Sequence, residues 1–130
     1  MASRQVITAT AKVDAGKVFN LPLSPAIRAG DFIFVSGSVA IDPGTGEPQH
    51  GTVASETRRV LQNIEALLES AGSSLDKVVK VNVLLYDMNE FENMNRVYRE
   101  FFPKAPPART TCGVQLGLGF KVEIECTALA

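Results

Sequence analysis

Apolar and polar positions along this chain alternate with two different periods, and the switches between them mark its elements. Phe120, Val122, Ile124 and Cys126 alternate with Lys121, Glu123, Glu125 and Thr127, the period of two expected for a sheet strand with one polar face. Between Thr52 and Ala71 the period lengthens. Val53, Val60, Leu61, Ile64, Leu67, Leu68 and Ala71 recur at helical spacing, with Glu56, Arg58, Arg59, Glu65 and Glu69 mostly between them. Gly72 supplies the C-cap of that helix. A second helix is predicted after a cap at Asp87 or Asn89, with Phe91, Met94, Val97 or Tyr98, and Phe101 as its apolar stripe and Pro103 as its stop.

Further strands are predicted over residues 6–13, 18–21, 32–36, 78–85 and 110–114, besides the closing one over 120–129. Residues 14–17 read as a turn and 42–48 as a turn-rich loop. The segment 22–28 reads as extended, because Pro22 and Pro25 discourage helix. The order β-β-β-α-β-α-β-β predicts an α+β fold in which two helices cover one face of a mixed sheet. If the second face is also partly apolar, packing against identical subunits hides it most simply.

Composition narrows the function classes. The 130 residues suit one domain spanning 1–130, and 45% hydrophobic content supplies a core. Thirteen basic residues against fourteen acidic ones leave no basic field, so no nucleic-acid partner is expected. Membrane association is not expected either, since no apolar run approaches the roughly 20 residues of a membrane span. The N-terminal residues lack the apolar stretch of a secretory signal, and the cytoplasm is the default location. Cys112 and Cys126 lack metal-ligand spacing and fall in what read as neighbouring strands, so both are expected to be free core thiols. No metal cluster is expected. His50, the single histidine, falls in a polar loop and is expected at the surface.

Chemistry is then left to the last quarter of the chain. Arg109 begins one predicted strand, and Glu123 and Glu125 share one face of the next. A guanidinium fork holds a carboxylate in a fixed plane, and a glutamate moves a proton or steers a water. That pairing points to a small-molecule site for an organic acid. Cys112 lies three residues past Arg109, but nothing in the sequence lowers its pKa toward a nucleophilic thiolate.

Several motifs in order resemble the Rid family, the reactive intermediate (enamine/imine) deaminases also called YjgF-like proteins. They are Phe34-Val35-Ser36-Gly37, Asp42-Pro43-Gly44-Thr45-Gly46, the helix ending at Ala71-Gly72, and Val78-Val79-Lys80-Val81-Asn82-Val83. The series continues with Asn93-Met94-Asn95-Arg96-Val97-Tyr98, Phe101-Phe102-Pro103, Pro107-Ala108-Arg109-Thr110 and Val122-Glu123-Ile124-Glu125. The resemblance implies a chorismate-mutase-like α+β fold and a homotrimer with three sites in the clefts between subunits. It implies hydrolysis of 2-imino acids or their enamine tautomers, such as 2-aminoacrylate and 2-iminopropanoate, to 2-keto acids and ammonium without a bound cofactor. Carried over by position, Arg109 clamps the substrate carboxylate and Glu123 positions the attacking water. Ser36 and Asn95 line or support the pocket, and the backbone near Thr111 contacts substrate. Glu125 carries no assigned role.

Three segments depart from the family pattern. Leu21-Pro22-Leu23 stands where the family has Gly-Pro-Tyr, Ser36-Gly37-Ser38 where it has Ser-Gly-Gln, and the link over residues 113–119 is glycine-rich. The missing pocket tyrosine makes the site less polar. Two alternatives stay open at this point: a non-catalytic trimer that binds small acids or acts as a holdase, and a deaminase of a larger unsaturated amino acid.

Overall fold

In the computed structural model, which describes residues 3–8 and 13–130, the chain runs through six strands and three helices. They are β1 (Arg4–Ile7), α1 (Ala15–Val18), β2 (Ala26–Ala29), β3 (Phe32–Ser38), α2 (Val53–Ser70), β4 (Val78–Leu85), α3 (Phe91–Phe101), β5 (Ala108–Gly113) and β6 (Val122–Leu129). Among the described residues these strands form one sheet in the order β1-β2-β3-β6-β4-β5. Only β4 and β5 pair in parallel. Strands of that relation need a crossover connection, and α3 provides it. The chain is α+β, with two main helices on a mixed sheet, as the periodicities predict.

The strand 78–85 and both long helices fall where the pattern puts them. Thr52 caps α2 through its side chain, which accepts from the Ser55 amide at 3.0 Å. At the other end Gly72 takes φ +83°, and the Ser73 and Gly72 amides donate back to the Leu68 and Glu69 carbonyls. That closes a Schellman turn. Asp87 caps a short 3-10 turn, Met88–Glu90, by accepting from the Asn89 amide. Asn89 therefore lies inside that turn and caps nothing.

The N-terminal third differs from expectation. The strand predicted over 6–13 ends at Ile7, and residues 9–12 lie outside the described residues. No turn occupies 14–17, because the Asp14 side chain accepts from the Lys17 amide and starts α1. The strand predicted over 18–21 is absent for the same reason. Val18 and Phe19 donate to the Asp14 and Ala15 carbonyls, and Asn20 then turns the chain at φ +53°. Local hydrogen bonds outweigh the β-propensity of Val18 and Phe19. The second strand is instead β2, which starts inside the segment read only as extended and runs one residue past it, held by antiparallel pairing with both β1 and β3.

The core lies between the helices and one face of the sheet. Val60, Leu61, Ile64 and Leu68 of α2 and Met94 of α3 are buried against Ile33, Val83 and Ile124 of the strands. Glu56 breaks the pattern, since it stands among the polar positions of α2 yet is fully buried. Its carboxylate accepts from the Lys121 amide at 2.9 Å and the Gly51 amide at 3.3 Å, and Lys121 Nζ lies 3.7 Å away. A buried carboxylate is tolerable only with such partners. It pins the entry of β6 to α2. The opposite sheet face is open and carries the exposed Phe32, Phe34 and Leu129.

Candidate functional site

Pleating decides where each candidate side chain goes. Along β6 Val122, Ile124, Cys126 and Ala128 are buried under the helices, so Glu123 and Glu125 point to the open face. Antiparallel register sets Glu123 opposite Leu84 and Glu125 opposite Asn82. On β5 the parity falls the other way. Arg109 and Thr111 stand in register with the buried Val81 and Val83, which places both on the helix face.

Arg109 and Glu123 are therefore not brought together within one chain. Although consecutive along the sequence, β5 and β6 have β4 between them, a separation of roughly 10 Å at the usual strand spacing. The two side chains also leave the sheet in opposite directions. The pairing inferred from the sequence is not made inside a single subunit.

The Arg109 side has the character of an anion clamp. Its guanidinium carbon lies 4.6 Å from the centroid of the Tyr98 ring and 5.6 Å from that of Phe91. Both rings come from α3, and faces of this kind attract a cation and orient its plane. Among the described residues no carboxylate comes within ion-pair distance of Arg109. Asn95, Tyr98, Arg99, Phe102, Pro107 and Arg109 border a surface cavity of about 300 Å³. Asn95 is buried, with Nδ2 donating to Glu92 Oε1 at 3.3 Å. Its Oδ1, the Tyr98 hydroxyl and Thr111 Oγ1 are buried without a hydrogen-bond partner among the described residues. Burial pushes the Tyr98 phenol above its ordinary pKa, and the Arg109 charge opposes that shift.

Tyr98 and Phe91 were legible only as members of the apolar stripe of α3. The signal for their second role is spacing. Residues 91, 95 and 98 share one helix face, and the crossover lays that face against β5.

On the open face, Glu123 is half-buried, and burial raises its carboxyl above the ordinary range, with the negative charge of Glu125 adding to the shift. Glu125 itself is exposed and accepts from Asn82 Nδ2 at 2.9 Å. Ser36 lies on β3 beside a register shift, where Val35 pairs with Cys126 and Ser38 with Ile124. Its hydroxyl donates to the Ser24 carbonyl at 2.6 Å and its amide to the Pro25 carbonyl at 2.9 Å. Ser36 thus fastens the strand to the segment that carries Leu23, which is exposed.

The cysteines differ from expectation in one respect. Both are free, but only Cys126 is buried, and Cys112 is exposed. They are not on neighbouring strands, and Cys112, in register with Leu84, faces the open side. Burial, followed by the Glu125 charge, pushes the Cys126 thiol up to about 12. His50 is exposed, as expected, and packs on Phe120 with ring centroids 4.8 Å apart. No group of three or more His, Cys, Asp or Glu among the described residues is arranged to hold a metal. No helix there is long and apolar enough to cross a membrane.

The fold and the residue pattern both have known counterparts. A family model described as "Endoribonuclease L-PSP" matches residues 19–130. A RutC family protein of Pyrococcus horikoshii is 49% identical over 108 residues, covering 82% of this chain and 86% of that protein. The chloroplastic Reactive Intermediate Deaminase A of Arabidopsis thaliana is 38% identical over 108 residues, covering 82% of this chain and 58% of that protein. Among solved structures, RidA from an Antarctic Psychrobacter superposes with a TM-score of 0.87 at 33% identity, covering 97% of this chain and all of the other. The chain belongs to the family described as Endoribonuclease L-PSP, the YjgF/Rid proteins that its motifs resemble.

Proposed function

We propose that this protein hydrolyses reactive 2-imino acids and their enamine tautomers to 2-keto acids and ammonium, at sites formed between subunits of a homotrimer. The observation that carries this reading is Arg109: a guanidinium held over two aromatic rings, half-buried and without a carboxylate partner among the described residues. Such a fork suits the carboxylate of an organic acid. The relative named as a reactive intermediate deaminase supports the substrate class.

A second copy completes the site. Arg109, with Asn95 and Thr111, lies on the helix face near the β5 edge, whereas Glu123 lies on the open face. Association of like chains over the exposed Phe32 and Phe34 brings the Glu123 side of one copy to the Arg109 side of another and hides that apolar surface.

The chemistry then needs little. Arg109 holds the carboxylate and thereby orients C2. Glu123 takes a proton from water as its oxygen adds to C2 and passes that proton to the imine nitrogen, giving a carbinolamine; it then relays the carbinol hydroxyl proton to the same nitrogen as the C2 carbonyl forms. The C–N bond breaks and ammonia leaves, with the keto acid behind it. A carboxyl whose pKa lies above the ordinary range suits both proton transfers. Neither a cofactor nor a metal enters these steps. We propose a cytoplasmic location as well, and fractionation checks it, because the Arabidopsis relative is named as chloroplastic.

The test is to generate 2-iminopropanoate with an amino acid oxidase and follow its loss with semicarbazide as the competing trap. The protein is expected to accelerate the loss; a rate equal to buffer refutes action on this imino acid, and a panel of larger imino acids then decides whether a larger unsaturated amino acid is the substrate. Calorimetry with 2-ketobutyrate separates the remaining alternative. Arg109-dependent binding without acceleration identifies a small-acid-binding protein.

A further inference from the structure

Gly37 stands where its own backbone does not call for glycine. The described glycines with left-handed φ are Gly30, Gly46, Gly72 and Gly119, so Gly37 has a conformation open to any residue. Glycine within a strand weakens it and often marks a place that something approaches closely. Here the approaching group is Glu123. A Cβ added to Gly37 would overlap Glu123 Oε2 and lie 3.0 Å from Cδ and 3.4 Å from Cγ. The three nearest atoms all belong to that one side chain. Gly16 differs, since its added Cβ would meet the backbone carbonyls of Leu23 and Leu21, and Gly117 has nothing within 4 Å.

We propose that Gly37 is a positioning residue for Glu123: its missing side chain leaves a shelf on which the carboxylate rests, and the shelf sets where that carboxylate meets water and substrate. This deepens the deaminase reading and rests on it for the catalytic consequence.

The strand itself fixes the shelf. Between the pairs Val35–Cys126 and Ser38–Ile124, β3 advances three residues while β6 advances two, the extra residue of a bulge. The Ser38 hydroxyl donates to the Ser36 carbonyl at 2.9 Å, across Gly37. The Ser36 hydroxyl and amide tie the strand to Ser24 and Pro25. Obstruction at residue 37 therefore falls on the flexible end of Glu123 rather than on fastened backbone. The other polar or charged groups sharing that sheet face are Glu125 and Thr127 on β6, Asn82 and Lys80 on β4, Thr110 and Cys112 on β5 and, toward the far edge, Arg4 on β1. From β3 the neighbours are Gly37 and the uncharged Phe34.

The test compares Gly37→Ala, Glu123→Gln, the two combined, and Gly117→Ala as a control, each as the full chain in its native assembly. Gly37→Ala is expected to keep the native mass and to lower kcat for 2-iminopropanoate by about 10²-fold, the scale of an ångström misplacement. KM stays within about twofold, because Arg109 on the opposite face binds the carboxylate. In the Glu123→Gln background the same substitution changes kcat no further. A ¹³C NMR titration of the Glu123 carboxyl in Gly37→Ala moves down toward the ordinary range as the displaced group meets solvent. Unchanged kcat and titration in Gly37→Ala overturn the proposal, and so does an equal fall in kcat in both backgrounds.

The titration needs no activity. A shift in a protein without deaminase activity leaves the positioning role standing and refutes only the function. If Gly37→Ala does not assemble, Gly37→Ala with Glu123→Ala decides. Recovery of the native mass supports the shelf, and failure of both overturns it.

Discussion

Replacing Arg109 by lysine keeps the charge and removes the fork, so it isolates what the geometry around this residue is for. The guanidinium lies 4.6 Å from the Tyr98 ring centroid and 5.6 Å from that of Phe91, a clamp that holds its plane. Lysine presents one compact ammonium, which gives a carboxylate a single charged contact instead of two parallel ones. Losing one hydrogen bond to a charged group costs about 1.5–3 kcal/mol. At about 1.36 kcal/mol per tenfold, kcat/KM for 2-iminopropanoate falls about ten- to 150-fold. Most of the loss belongs in KM, because the carboxylate is held alike in the ground and transition states. The semicarbazide competition assay measures it, and calorimetry with 2-ketobutyrate shows a matching loss of affinity. Arg109 has no ion pair among the described residues, so Tm stays within about 2 °C of wild type. A kcat/KM within twofold of wild type, or a loss confined to kcat, refutes the carboxylate clamp.

Tyr98→Phe keeps the ring under Arg109 and deletes a buried hydroxyl without a hydrogen-bond partner among the described residues; it is expected to leave kcat/KM unchanged and stabilise the fold by about 1 kcal/mol in denaturant titration. Glu123→Gln lowers kcat by about 10²- to 10⁴-fold and also alters stability with a definite sign. Burial, with Glu125 second, raises the folded-state pKa of Glu123, so its contribution is fully present below the ordinary glutamate pKa and is lost as pH rises through the higher folded value. The variant is therefore more stable than wild type at pH 7, a gain that shrinks on acidification in melts across pH. Glu56→Ala leaves the Lys121 and Gly51 amides without their acceptor; at about 1–3 kcal/mol for a buried group left unsatisfied, a loss of several degrees in Tm is expected, with Glu56→Gln intermediate. In a Cys112→Ser background, Cys126, held at about 12, resists a thiol reagent at pH 8 until the chain is unfolded, since only the thiolate reacts.

Legibility in the sequence tracks how local each determinant is. The strand 78–85, α2 and α3 follow from period, caps and stops within a few residues of themselves. The segment 14–21 misled, because one side-chain cap at Asp14 and a left-handed Asn20 outweigh the β-propensity of Val18 and Phe19. Glu56 reads as a surface glutamate from its neighbours in α2, yet its partners are amides at Gly51 and, 65 positions away, Lys121. Arg109 and Glu123 were legible as candidates from residue type and motif. Tyr98 and Gly37, which hold them, were not. Neither carries chemistry in its own sequence context, and each acquires its role from a strand that arrives later in the chain.

Residue type and period alone determined that this chain makes two amphipathic helices and a mixed sheet, and marked an arginine and a carboxylate as its candidate reactive groups. The family resemblance came from motifs in order rather than from period. Only the tertiary structure decided how those groups are disposed. Insertion of β4 between β5 and β6 is a non-local pairing, and the strand register then sends Arg109 under the helices and Glu123 to the open face. Because successive side chains leave a strand on opposite sides, one residue of register separates two groups that read along the chain as partners.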